Sequence, residues 1–201
     1  LPDKSVGVIE EDLERNIVKI CKPVGVIGAL SPSTNPEATP VIKSINAVKG
    51  RNAIVIAPHP RAKFINMTIV EKMRGALEKM GAPADLVQTM AQPSLGKTEE
   101  LMKQCDFILA TGGPGMVKAA YSSGTPALGV GAGNAVITVD DTADLLDTAE
   151  KIRISKTLDL AASCSADNSV IVLESVYDEL LSNLIAEGGY VASPEEADKI
   201  A

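Results

Sequence analysis

Three stretches of this chain combine residue types and spacings that suit chemistry. Cys164 sits alone among small and polar neighbours in Ala162-Ser163-Cys164-Ser165-Ala166, after a helical pattern and just before a strand-like run, Val170 to Leu173. Nothing about packing asks for a thiol there. Small neighbours leave room for a reactant, and a helix-to-strand junction is a common place to present a functional side chain. The plainer alternative is a buried structural cysteine, since free Cys is among the most buried residue types. The second stretch, Thr111-Gly112-Gly113-Pro114-Gly115, precedes a helical pattern. Bare backbone N–H groups beside a helix N-terminus suit a phosphate, whereas the bland reading is a tight turn needing positive φ. The third is Gly129-Val130-Gly131-Ala132-Gly133, a GxGxG that leads into a strand instead of a helix and so departs from the dinucleotide fingerprint. His59 is the only histidine. Lying between Pro58 and Pro60 at a strand end, it reads as a ligand-side or turn residue and not as a catalytic base.

The elements that must position these groups alternate between strand and helix. Val24 to Leu30 is a continuous apolar run, as expected of a strand buried on both faces. The turn Ser31-Pro32-Ser33-Thr34-Asn35-Pro36 follows, then a helix with Ile42, Ile45 and Val48 on one stripe and Gly50 at its end. Asn52 to Ala57 is a second buried strand. Such a strand-helix-strand unit implies a parallel crossover. The alternation continues with a helix over 61–80 carrying Val70, Met73, Leu77 and Met80, closed by Gly81. Next come a strand at 86–89, a helix starting at Thr98, a strand at 107–110, a helix over 117–122 and a strand at 126–130. A strand at 136–139, a helix over 143–156, the strand at 170–173 and a helix over 177–186 complete the pattern. The fold class is α/β. Four turns, 31–36, 57–61, 111–115 and 129–134, follow strand ends, and ligands of open parallel sheets bind along that carboxyl edge. Ahead of all this, Val6 to Ile9 and Ile17 to Ile20 read as a hairpin. Alone it would be marginal in water, so it is expected to pair with another sheet, in a second subunit.

Totals bound the rest. With 201 residues, 45% apolar and only 2% aromatic, the chain can bury one sizeable aliphatic core with methionines as gap-fillers. A net charge of −7 argues against nucleic acid or an anionic membrane as partner. Cys21, Cys105 and Cys164 are far apart with no CxxC pair, which suits a reducing, cytoplasmic setting and offers no metal site. No apolar run approaches the ~18 residues of a membrane span.

The motifs SPSTNPEATP, APHPRAK, ATGGPGMVKAAYSSGTPALGVGAGN and ASCSADNSVIV occur in this order and at these spacings over essentially the whole chain. Together they resemble the CoA-acylating aldehyde dehydrogenases, such as the aldehyde half of the bifunctional aldehyde/alcohol enzymes, whose members are more than twice as long. The resemblance implies a central portion of such an enzyme. It further implies a Rossmann-like parallel sheet of the aldehyde dehydrogenase type and the start of a second α/β catalytic domain. Residues 1–22 would be an oligomerisation hairpin, 23–133 the dinucleotide-binding domain and 134–201 the beginning of the catalytic domain. Cys164 matches the nucleophile that forms a thioester. Ser31, Pro32, Ser33, Thr34, Pro58, His59, Pro60, Arg61, Thr111, Gly112, Gly113, Gly115, Val130, Gly131, Ala132 and Gly133 match the turns around NAD or NADP. Hydrolytic members place an oxyanion amide where an ungapped count from Pro58 reaches Thr34, with Asn35 one place later as the candidate donor. They also carry a water-activating glutamate in the segment matching 129–134, where this chain has no carboxylate. The implied reaction joins a small aldehyde and CoA with reduction of the nicotinamide, in a homo-oligomer. The alternatives are a hydrolytic aldehyde dehydrogenase with its base elsewhere, or a nucleotide-binding fragment without activity.

Overall fold

The computed structural model describes residues 4–131 and 133–200. They fall into two compact units, Leu1–Ala132 and Gly133–Ala201. The division lies one residue earlier than the motifs suggested, and the hairpin groups with the first unit.

The hairpin consists of β1 (Gly7–Asp12) and β2 (Ile17–Cys21), paired antiparallel with a bulge between Val8 and Glu10. Val8, Ile9, Ile17, Val18 and Ile20 are all exposed. Two strands with apolar residues open to water on both faces bury too little to be stable alone.

Five strands form the sheet of the first unit: β3 (Val26–Ser31), β4 (Ala53–Pro58), β5 (Val87–Thr89), β6 (Phe107–Thr111) and β7 (Ala127–Val130). Their order is β5-β4-β3-β6-β7 and every pairing is parallel. The chain winds one way from β3 to β5 and then crosses back to β6, so the order reverses beside β3. Such a switch point opens a crevice at the carboxyl ends of the flanking strands. Apolar runs explain the core: Ile54, Ile56 and Ile108 have no exposed surface, each burial contributing about 1.5–3 kcal/mol. Clusters around Ile27, Ile54 and Val70 and around Leu30, Met102 and Ile108 fill the space between strands and helices. At Gly28 an added Cβ would lie 2.7 Å from Cys105 Sγ, so that strand residue has to be small.

The helices are α1 (Ala38–Lys49), α2 (Lys63–Lys79), α3 (Leu95–Gln104) and α4 (Pro114–Tyr121). All four differ from expectation, α3 by beginning at Leu95, three residues before Thr98. In α1 the buried residues are Pro40, Ser44 and Ala47, while Ile42 and Ile45 are exposed; only Val48 of the apolar stripe packs on the core. In α2, Val70 is buried and Met73 and Leu77 pack beside it, but Met80 is exposed. α4 begins at Pro114, three residues before the apolar pattern does, because a proline at the first helical position loses no hydrogen bond.

The second unit holds β8 (Ala135–Val139) and β9 (Asp167–Val172), paired parallel, with α5 (Leu145–Thr157), α6 (Glu174–Ala186) and α7 (Pro194–Ile200). Val139, Leu145, Ala149 and Leu180 form its core. Asp144 caps α5, its carboxylate accepting from Leu146 N and Asp147 N at 3.2 and 3.1 Å. α7 lies beyond the last helix expected from the sequence.

Candidate functional site

Three of the four expected turns meet at the switch point. A cleft of about 140 Å³ is lined by Ser31 and Pro32 after β3, by Pro58, His59 and Pro60 after β4, and by Thr111, Gly112 and Gly113 after β6. His59 N donates to Ser31 O at 3.0 Å, tying the first two turns together. His59 Nδ1 accepts from Arg61 N at 3.2 Å and so caps the short 3-10 turn Pro60–Ala62. That bond makes His59 a turn-forming residue.

The glycines of the third turn serve neither backbone strain nor packing. Gly112, Gly113 and Gly115 are absent from the glycines with positive φ among the described residues. A Cβ on Gly113 or Gly115 would meet nothing within 4 Å, and on Gly112 only Met116 at 3.6 Å. The tight-turn explanation therefore fails. What the missing side chains leave is open space over the N-terminus of α4, whose N-cap is Gly113. Ser31 also lines this space, is 6% exposed, and its Oγ has no hydrogen-bond partner. An orphaned hydroxyl, a helix N-terminus and unfilled space suit a phosphate-bearing ligand.

Lys43 lies behind the cleft. Its Nζ donates to Leu30 O and Leu109 O, both at 2.7 Å, and so bridges β3 to β6 one or two residues short of their turns. Burial lowers its pKa from 10.5 to about 8, because a low-dielectric setting disfavours the ammonium.

Other expected residues stand apart from the cleft lining. Ser33 and Thr34 are exposed, and half-buried Asn35 accepts from Thr39 N at 3.2 Å through its backbone carbonyl. Arg61 is exposed beyond β4. Val130 ends β7 beside Thr111, and its carbonyl accepts from Gly112 N at 3.2 Å. Gly131 borders a separate hollow with Pro114, Val117, Lys118 and Tyr121 on α4. Ala132 lies outside the described residues. Sequence reasoning missed Pro93, Ser94, Leu95, Thr98 and Met116 of the cleft wall. Ser94 was findable: it is the N-cap of α3, its hydroxyl accepting from Lys97 N at 3.3 Å, and it follows strand β5.

In the second unit, Cys164 is exposed and free. It sits in a turn closed by Ala166 N donating to Ser163 O at 3.1 Å, and the hydroxyls of Ser163 and Ser165 meet at 2.8 Å. This exposure is unlike that of a buried structural cysteine. The loop is built to hold a shape. Asp159, Leu160 and Ala161 all have left-handed backbone, with φ of 51, 52 and 63°, an arrangement that costs roughly 1–2 kcal/mol per residue. At its base, Lys156 Nζ donates to Asn168 Oδ1 at 2.6 Å and Asp167 N donates to Ser155 Oγ at 3.3 Å. Gly133 belongs here as well: a Cβ on it would lie 3.4 Å from the Cys164 carbonyl.

Comparison with known proteins gives a consistent picture. Residues 4–192 match the aldehyde dehydrogenase family. A sulfoacetaldehyde dehydrogenase of an Acholeplasma species is 55% identical over 192 residues, covering 96% of this chain and 40% of that protein. The crystal structure of an acetylating aldehyde dehydrogenase from Geobacillus thermoglucosidasius superposes with a TM-score of 0.91 at 41% identity, covering 99% of this chain and 44% of that one. A Rhodopseudomonas palustris propionaldehyde dehydrogenase, solved with bound CoA and an acylated cysteine, gives 0.82 at 36% identity, covering 89% and 41%. The chain thus spans about two fifths of the length of these relatives.

Proposed function

Because the chain belongs to the aldehyde dehydrogenase family, we propose that the protein carrying it is a CoA-acylating aldehyde dehydrogenase. It converts an aldehyde, CoA and NAD or NADP into acyl-CoA and the reduced cofactor. The observation that carries this reading is the exposed Cys164 on a shaped loop with no carboxylate over 129–134 to recruit water.

The cleft residues fit the cofactor. Gly112, Gly113 and the α4 N-terminus receive its pyrophosphate, Ser31 Oγ donates to it, and Pro58 and His59 wall the adenosine. Arg61, with no acid at the end of β4, is placed to meet a 2′-phosphate. When bound, the nicotinamide accepts hydride. The chain's own residues supply the rest. The Cys164 thiolate adds to the aldehyde carbon, and the aldehyde oxygen becomes an oxyanion held by backbone N–H groups near Cys164. Each such donor contributes about 3 kcal/mol to the transition state. Loss of the aldehydic hydrogen as hydride leaves an acyl thioester on Cys164. The CoA thiol then attacks that carbonyl, releasing acyl-CoA and returning the Cys164 thiolate.

Sulfoacetaldehyde is the first substrate to try, on the strength of the 55% identical relative that bears its name. The apolar surface of the β1–β2 hairpin supports assembly into a homo-oligomer, and three free thiols support a reducing, cytoplasmic location. Among the described residues no helix is long and apolar enough to cross a membrane.

The test is an intact-mass measurement on the complete protein after mixing with aldehyde and oxidised cofactor but no CoA. An acyl mass increment that maps to Cys164 and vanishes on adding CoA supports the reading. An unmodified Cys164 under turnover removes it.

A further inference from the structure

The 31–36 turn carries Ser31 and Pro32 into the cleft wall and then Asn35. Rich in proline and hydroxyls, it contributes little to the sheet beyond Ser31. At its start it is held by His59 N donating to Ser31 O, and at its far end by α2. Asn66 there is 0% exposed. Its Nδ2 donates to Pro36 O at 2.8 Å and to Ala62 O at 3.4 Å. Pro36 follows Asn35 directly, and Ala62 ends the 3-10 turn that begins at Pro60 on the opposite wall. One buried amide therefore reaches the far ends of both turns.

The same side chain is poorly satisfied as a core residue. Asn66 Oδ1 is buried without a hydrogen-bond partner, and an unpaired buried acceptor destabilises the fold. A leucine, with the same branched skeleton of heavy atoms, would bury more apolar surface and carry no orphaned atom. Packing thus favours another residue, and the bond to Pro36 is what asparagine alone supplies here. We propose that Asn66 is a positioning residue of the site: its amide fastens the far end of the 31–36 turn, and with it Asn35, to the start of α2, which follows directly on the 57–61 turn. This rests on the reading of that cleft as the cofactor site and of Asn35 as the candidate oxyanion donor.

The experiment uses the complete protein with Asn66→Leu, Asn35→Ala and both together. The dissociation constant of the reduced cofactor is measured by fluorescence titration, the rate of the first hydride transfer by stopped flow, and the melting temperature alongside. A small misplacement of reacting groups can cost about 100-fold in rate. Asn66→Leu is expected to weaken cofactor binding about tenfold and slow the first turnover about 10- to 100-fold, while melting within a few degrees of wild type. The double variant is expected to be no slower than the worse single one, since both act through Asn35. Cofactor affinity and burst rate unchanged in Asn66→Leu would overturn the proposal, as would losses that multiply in the double variant. Should Asn66→Leu not fold, Asn66→Asp, which keeps the shape and removes the amide donors, is read in the same way. Cofactor affinity reports on Asn66 whichever acceptor the enzyme uses, so failure of the acylating assignment is a separate result.

Discussion

Lys156 and Asn168 clasp the two ends of the segment that presents Cys164: the Lys156 ammonium at the end of α5 donates to the Asn168 amide oxygen, at the start of β9, at 2.6 Å. Nine of the residues between them form the loop, from Leu158 to Ala166, and three of those are held left-handed. Without closure at the base, that strained backbone has an easy route to relax. Lys156→Met in the complete protein is therefore expected to slow acylation of Cys164 about tenfold, with melting changed by a few degrees at most. Asn168→Ala should do the same, and the pair together no more than either alone. Wild-type acylation rates in both variants would show that the clasp does not hold the nucleophile.

Gly113 and Gly129 make a contrasting pair. A Cβ on Gly129 would lie 2.6 Å from Val117 Cγ1 and 2.9 Å from the Tyr121 ring, whereas one on Gly113 meets nothing within 4 Å. Gly129→Ala should cost roughly 1–3 kcal/mol of stability through overpacking. Gly113→Val should leave stability nearly unchanged and weaken NAD and NADP binding by occupying the space over α4. Denaturant unfolding and cofactor titration of both variants separate the two effects. Equal cofactor affinity in Gly113→Val would take that turn out of the site.

Lys43 predicts a pH dependence of definite sign. In the fold its pKa is lowered by burial to about 8, against 10.5 when solvated. Between those values the unfolded chain binds the proton and the folded one does not, so stability rises with pH across about 8 to 10.5 and is flat for this group below. Lys43→Met removes the slope. The stability difference between wild type and variant should shift in favour of wild type by up to about 3 kcal/mol over that window. A constant difference from pH 7 to 10 would mean that the amine stays charged in the fold.

Assembly is tested on the hairpin. Val18 and Ile20 are exposed on β2, and Ile20 pairs across the strands with Val8. Val18→Lys with Ile20→Lys should lower the subunit number of the complete protein in sedimentation, because charges cannot be buried in an apolar contact without a partner. An unchanged oligomer would assign the hairpin to its own chain.

Much of this was legible in the sequence. The apolar runs of β3 and β4 announce strands covered on both faces, and the turns after them could be named as a candidate ligand edge from the sequence alone. What escaped has physical reasons. Helix α1 packs through Pro40, Ser44 and Ala47 because small residues let it approach the sheet, so its larger apolar residues, Ile42 and Ile45, stay outside. Asn66 looks like any polar position on a helix surface; its burial depends on a turn thirty residues earlier in the chain. Left-handed Leu160 and Ala161 have no signature, since glycine or asparagine usually marks such positions. Cys164 stood out in the sequence as a lone thiol among small residues, but the clasp at 156 and 168 that frames it joins residues whose types alone say nothing.

The central claim is that the thioester on Cys164 waits for CoA. Water is a poor acceptor without a positioned base, which typically contributes about 10²–10⁴-fold, and the 129–134 segment offers none. The decisive measurement is cofactor reduction by the complete protein, mixed rapidly with aldehyde and oxidised cofactor, first without and then with CoA. The account predicts a burst of at most one equivalent per site and then a stall. CoA should start sustained turnover that accumulates acyl-CoA, and Cys164→Ser should abolish burst and turnover alike. Steady release of free acid in the absence of CoA would contradict it.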